Sequence, residues 1–273
     1  MPVGRLPSGL EIGYETRGRG AAVLMIAGLG RTRNMWEAQV SALAENFRVV
    51  VFDNRGVGES GRPAGPYSAA LMAGDAAGLL DLLELERAHV VGASLGGLVA
   101  QELALSRPER VASLSLLCTH PGLPWAVPMD AAARAAIVPD PGADPFVRLL
   151  GAMRLAFGIR YWERHREELL ETAKARLGSL PSPEMWWAQA AAGVSFSWAG
   201  RRLDAPTLVM TGDEDRIVPA VNAKALADLI PGSELAVFPG AGHYFFQEQA
   251  EAVNRRLNAF ICRKETTTCP SRP

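Results

Sequence analysis

The sequence predicts an α/β fold: a mostly parallel sheet with helices on both faces, interrupted once by a helical insertion. Three observations predict it. Continuous apolar runs recur, such as residues 22–27 (AVLMIA), and a run without alternation marks a strand buried on both faces. Segments of helical period separate the strands, giving the β–α–β rhythm of a parallel sheet. The rhythm lapses between residues 120 and 203 and then resumes.

Each element has its own reason. Residues 10–16 (LEIGYET) alternate apolar and polar, as a half-exposed edge strand does. After the buried run 22–27 comes helical spacing over 36–45, then a strand over 47–52 (FRVVVF). A helix follows over 68–85, with Ser68 placed to cap it. Residues 88–93 (AHVVGA) read as strand, 95–106 as helix and 111–118 (VASLSLLC) as strand. The interval 120–203 has prolines, many alanines and five of the six tryptophans, with helical patterns at 144–157, 160–177 and 183–193. Strands resume at 206–211 and 233–238, with helices at 219–229 and 246–261. The polar end of the chain reads as a disordered tail. The resulting division is a core of residues 1–119 and 204–262, an insertion of 120–203, and a tail of 263–273.

Composition narrows the function. The chain has 273 residues, 48% of them hydrophobic, enough for one large domain with a substantial insert. Its 28 basic and 29 acidic residues leave a net charge of −1, which does not suit a nucleic-acid binder. No apolar run reaches membrane-spanning length, and the first residues lack a secretory pattern. The three cysteines, Cys118, Cys262 and Cys269, form no C-x-x-C pair, so neither a disulfide framework nor a zinc site is expected, and a reducing cytoplasm is the default. Cys262 and Cys269 could pair, though the fold does not require it. No metal or cofactor is implied, and the oligomeric state is open.

One stretch carries chemistry. Gly92-Ala93-Ser94-Leu95-Gly96 fits G-x-S-x-G between a buried strand and a helix, where a sharp turn lifts the serine hydroxyl above the sheet. A serine needs a base. Of the four histidines, His89 begins a strand, at the wrong end of a parallel sheet, and His165 lies among charges. His120 and His243 follow strands at the productive end. His243, in the glycine-rich loop PGAGH, is the better base, and His120 reads as pocket wall. Three carboxylates follow a strand in GDEDRIVP. Asp215 is the choice to orient the imidazole, because Asp213, next to the glycine, can instead fix the turn. The oxyanion donors are then the amides of Leu95, after the nucleophile, and Leu29, in the loop Ala27-Gly28-Leu29-Gly30.

Four segments in order, AGLGRTRNMW, DNRGVGES, GASLG and the pair GDEDRIVP and GAGH, make the chain resemble the α/β-hydrolase-fold serine hydrolases over essentially its whole length. The resemblance implies an eight-stranded, mostly parallel sheet and makes the insertion a helical cap. It also implies a catalytic triad and treats Asp53–Ser60 as a structural loop rather than a phosphate site. The chain departs from many members by carrying Ala27 where they have a histidine before Gly28, so a loop-fixing side-chain hydrogen bond is missing. Ala93 likewise replaces a histidine found in many members before the nucleophile.

The expected activity is that of a carboxylesterase on small to medium apolar esters, through an acyl-serine. Enol-lactonase, thioesterase, C–C bond hydrolase and cofactor-free perhydrolase chemistry use the same machinery, and a non-catalytic small-molecule receptor of this fold is a further alternative. A dinucleotide-binding reading of Gly28-Leu29-Gly30 fails because Arg33 stands where the third glycine belongs. The substrate pocket is expected to draw on His120, Trp125, Met129, Met153, Phe157, Trp186 and Trp187. Between residues 120 and 203, ten Arg or Lys face eight Asp or Glu, an excess too small to argue for a carboxylate-bearing substrate.

Overall fold

The computed structural model describes residues 2–140, 142–198 and 200–265. Eight strands and eleven α-helices follow one another among these residues. The first part holds β1 (Val3–Arg5), β2 (Glu11–Arg17), β3 (Ala22–Ile26), α1 (Glu37–Leu43), β4 (Arg48–Phe52), α2 (Ala69–Leu82), β5 (Ala88–Ala93), α3 (Leu95–Ser106) and β6 (Val111–Leu117). Five helices then precede the next strand: α4 (Ala131–Ile137), α5 (Pro145–Ala156), α6 (Ile159–Arg164), α7 (Arg166–Arg176) and α8 (Pro183–Ser195). The chain closes with β7 (Thr207–Gly212), α9 (Val221–Leu229), β8 (Glu234–Phe238), α10 (Phe245–Glu248) and α11 (Ala250–Lys264).

The sheet order is β1-β2-β4-β3-β5-β6-β7-β8. The β1–β2 and β2–β4 pairs are antiparallel and the rest parallel. Strand β3 pairs with β4 on one side and β5 on the other, so successive crossovers leave it in opposite directions. A crevice opens at such a switch point, beyond the carboxyl ends of the strands. Side chains of β3 alternate between two cores: Leu24 and Ile26 join α2 and α3 on one face, while Val23 and Met25 join α1 and α11 on the other. That two-sided burial is why its sequence is continuously apolar.

The structure departs from the sequence reading in five places, the first at Gln249, whose ψ of 44° splits the helix expected over 246–261 into α10 and α11. Strand β1, three residues long, is too short to show alternation; its pairing with β2 makes β1 the edge, so the strand expected there over 10–16 has a neighbour on each side. Helix α4 is nearly all alanine and so lacks an apolar period, but Asp130 caps it by accepting from the Ala133 amide at 2.6 Å. The helix expected over 160–177 breaks at His165, whose ψ of 23° ends α6 before α7 begins. Helix α11 runs on through Cys262, Arg263 and Lys264 into the expected tail, where Arg263 pairs with Glu234 at 2.8 Å. Residues 266–273, with the remaining tail expectation and any partner role of Cys269, lie outside the described residues. No helix among the described residues is long and apolar enough to cross a membrane.

Helix α8 is fastened to the sheet layers by buried polar contacts. The Tyr67 amide donates to the Ala188 carbonyl at 3.0 Å. Just beyond the helix, Trp198 Nε1 donates to Gln101 Oε1 at 3.0 Å, and Arg201 forks onto Glu102 at 2.9 and 2.8 Å.

Candidate active site

Ser94 sits between β5 and α3 with φ 56° and ψ −120°, a left-handed conformation that a side chain other than glycine rarely adopts. Two residues to either side of it, positions 92 and 96 must be glycine for steric reasons. A Cβ on Gly92 would strike the Gly96 carbonyl, and one on Gly96 would strike the Ile26 carbonyl. The turn is held from below by Ser94 N donating to Leu117 O at 2.9 Å and by Thr119 Oγ1 donating to Ser94 O at 2.8 Å. The first amides of α3 therefore open towards the serine, where they favour developing negative charge.

The loop after β7 presents Asp215, buried, with all of its hydrogen bonding directed. Its Oδ1 accepts from the Ile217 and Val218 amides, both at 2.8 Å, and its Oδ2 accepts from His243 Nδ1 at 2.8 Å. A carboxylate only accepts, so Nδ1 carries the proton and Nε2 is left as the basic nitrogen. Asp213 does something else: it accepts from the Gly240 amide at 2.7 Å and ties the β7 loop to the loop that carries His243. The histidine loop is further held by Glu248, which accepts from Gly242 N at 2.9 Å and from Gly158 N at 3.2 Å. Burial, against those two amides, pushes the Glu248 carboxyl up to about 7. The turn between α5 and α6 also leans on this loop through Tyr244 N donating to Ala156 O at 3.0 Å.

The loop after β3 lies against the serine, since a Cβ on Gly28 would be 3.4 Å from Ser94 Cβ. Two side chains that the sequence reading did not single out hold it. Asn54 Nδ2 donates to the Ala27 carbonyl at 2.9 Å. Gln189, fully buried on α8, accepts from Gly30 N at 2.8 Å and donates to Arg55 O at 2.7 Å. They supply the fastening that Ala27 cannot. The signal was available: Gln189 is the lone polar residue in the run WWAQAAA, and a single amide in an alanine-rich stretch needs buried partners. The Leu95 amide is the first of α3, and neither it nor the Leu29 amide donates to another described residue. The Asp53–Ser60 loop has its charges paired with the surrounding core: Arg55 forks onto Asp75 with both bonds at 2.6 Å, and Arg33 pairs with Asp53. That leaves no free guanidinium there for a phosphate.

A cavity of about 560 Å³ opens over these loops, and Ser94, His243, Leu29 and Leu95 all line it. Of the residues expected in its wall, His120, Met129, Met153 and Trp186 line it, whereas Trp125, Phe157 and Trp187 do not. Trp186 and Trp187 are about 100° apart around α8, so only one can face inward; Trp187 stays 53% exposed and meets its neighbour edge-on. Trp125 is 42% exposed in the turn before α4. Phe157 is buried between Tyr161 and Tyr244 in the packing of the inserted helices. His120 Nδ1 accepts from Gly122 N at 3.0 Å, and burial pulls this imidazole down to about 4. It is therefore neutral and, unlike His243, has no carboxylate partner among the described residues. Burial pushes the Cys118 thiol, also in the wall, well above its usual range. The sequence reading did not anticipate four further wall residues, Arg31, Arg134, Arg148 and Arg176.

Residues 21–143 and 147–250 match the alpha/beta hydrolase fold family. A protein of Azorhizobium caulinodans named "Putative carbamate hydrolase RutD" is 30% identical over 253 residues, covering 92% of this chain and 94% of that protein. Among solved structures, an esterase of Thermogutta terrifontis superposes with a TM-score of 0.83 at 30% identity, over 97% of this chain and all of its own. The enol-lactonase of Burkholderia xenovorans superposes with a TM-score of 0.84 at 25% identity, over 95% of this chain and 99% of its own.

Proposed function

We propose that this chain, which belongs to the alpha/beta hydrolase fold family and is a hydrolase, cleaves carboxylic esters through an acyl-serine intermediate. The observation that carries the reading is that strained Ser94 and His243, itself bonded to Asp215, line one largely apolar cavity. In the first half-reaction Ser94 Oγ attacks the carbonyl carbon while His243 Nε2 takes its proton. The Leu29 and Leu95 amides receive the oxyanion. Collapse expels the alcohol, which leaves with the proton from His243, and the acyl group stays on Ser94. Water, deprotonated by His243, then attacks the acyl-serine and releases the acid. Asp215 keeps the imidazole in the required tautomer throughout and stabilises its charged form. The esterase and enol-lactonase neighbours support acyl transfer to water as the reaction class.

Hydrolysis of p-nitrophenyl esters from acetate to a long acyl chain, with Ser94→Ala alongside, tests this. Multiple turnovers that vanish in the variant are expected, with a chain-length optimum set by the cavity. Equal turnover by Ser94→Ala would refute the serine mechanism. Binding without turnover across the series would refute carboxylic esters as the substrate class.

A further inference from the structure

The cavity wall is uneven in charge. Arg31, Arg134, Arg148 and Arg176 line it, and no Asp or Glu does among the described residues. The near balance of charge over 120–203 hides this, because the acids of the inserted helices face elsewhere. Glu171 pairs with Lys174, for example, and Asp130 with Arg216 on the surface.

Two of these arginines converge on Tyr244, the residue after His243. Arg31 follows the oxyanion loop directly, and its guanidinium carbon stands 5.2 Å from the centre of the Tyr244 ring. Arg176, the last residue of α7, acts on both Tyr244 and Arg31. Burial raises the Tyr244 phenol, but Arg31 and Arg176 outweigh it and leave the hydroxyl below its usual value. Burial and the charge of Arg31 bring Arg176 down to about 10. None of the four guanidiniums has a carboxylate partner among the described residues. Arg31 Nη1 and Arg148 Nε are buried with no hydrogen-bond acceptor among the described residues. Buried donors are normally paired, and two like charges side by side are unfavourable without an anion between them.

We propose that Arg31 and Arg176, with Tyr244 at their side, bind a carboxylate carried by the substrate, so that the ester this enzyme cleaves is an anionic one. Planar guanidiniums match a carboxylate with paired donors, and the apolar remainder of the cavity takes the hydrocarbon between that carboxylate and the reacting carbonyl. The inference rests on the hydrolase reading for its reaction but not for its binding, which separates the two in a test.

Ser94→Ala protein, titrated calorimetrically at low salt, provides the binding frame. The probes are monomethyl glutarate, with a carboxylate on the acyl side, butyryloxyacetate, with one on the alcohol side, and methyl valerate, a neutral counterpart. One of the two anions should bind about 10- to 100-fold more tightly than methyl valerate. That preference should collapse in Ser94→Ala/Arg176→Ala and in Ser94→Ala/Arg31→Ala, and return in part with Arg176→Lys. Circular dichroism melts identify any variant that fails to fold, and the Lys variant then carries the comparison. Equal affinity for all three probes, or a preference that survives both arginine removals, would overturn the proposal. Wild-type turnover of the same esters is read in parallel. Anion preference with no turnover would leave the carboxylate site standing and remove the ester-cleavage reading; turnover with no preference would do the reverse.

Discussion

Replacing Gln189 with leucine keeps the volume of the side chain and removes both of its hydrogen bonds. The Arg55 carbonyl, buried and now without a donor, should cost about 2 kcal/mol. The Gly30 amide borders the cavity, where water can reach it, so its loss should cost nearer 1 kcal/mol. A loss of about 3 kcal/mol follows, equivalent to about 6–12 °C in Tm for a chain of this size. The effect on catalysis should be separable. Gly30 adjoins Leu29, so releasing it loosens one oxyanion donor, and removing such a donor outright costs about 10²–10³ in kcat. A partial loosening should lower kcat by about 10- to 100-fold and leave KM within a few-fold. Urea denaturation followed by tryptophan fluorescence gives the stability, and steady-state ester hydrolysis gives the rate. Gln189→Glu is the control: it keeps an acceptor for Gly30 but turns a carboxylate on the Arg55 carbonyl, so it should lose stability and retain more of kcat than the leucine variant. A leucine variant within 0.5 kcal/mol of wild type, with kcat within twofold, would show that the loop does not depend on this clamp.

Three further outcomes are expected. Asp215→Asn should lower kcat by about 10⁴, whereas Asp213→Asn, which disturbs only the contact with Gly240, should cost less than about tenfold; steady-state kinetics with the order reversed would assign the acid to Asp213. Ser94→Gly should abolish turnover yet raise stability by about 1 kcal/mol, because glycine adopts φ 56° and ψ −120° without strain; an unchanged or lower urea midpoint would speak against strain at the elbow. Glu248 has a folded pKa of about 7, above its ordinary value of 4.5, so its contribution to stability is full below pH 4.5 and is lost as pH rises through 7. Glu248→Gln keeps the Oε1 acceptor for Gly158 and Gly242 and has no charge to bury, so its Tm relative to wild type should improve between pH 5 and pH 8, and an equal difference at both would contradict the assignment.

The parallel sheet was legible because its central strands are buried on both faces, which leaves runs such as AVLMIA with no polar interruption. Ser94 was legible because a tight turn demands glycine at 92 and 96, a local requirement written locally. His243 and Asp215 follow strands, and their place at one end of a parallel sheet follows from topology. The arginines of the cavity were not legible. Arg31, Arg148 and Arg176 come from three separate segments, and a count over 120–203 averages inward and outward charges together. Trp125 and Trp187 misled for a related reason: residue type says that an aromatic wants burial, but only the rotation of α8 and the path of the turn before α4 decide which ring obtains it. Helix α4 escaped notice because alanine favours helix without marking a buried face.

The contacts of the inserted helices bear on how this enzyme could be altered. Gln189 on α8 holds the loop after β3, while Ala156 and Gly158 in the α5–α6 turn hold the loop of His243. The segment that shapes the pocket is thus also a brace for both reactive loops. Exchanging residues 120–203 for the matching segment of a relative would transplant a new pocket and at the same time withdraw those braces. A functional chimera must retain a glutamine at 189 and the 156–158 turn geometry. Replacing the insertion therefore disturbs the loops of Gly30 and His243 in the same step.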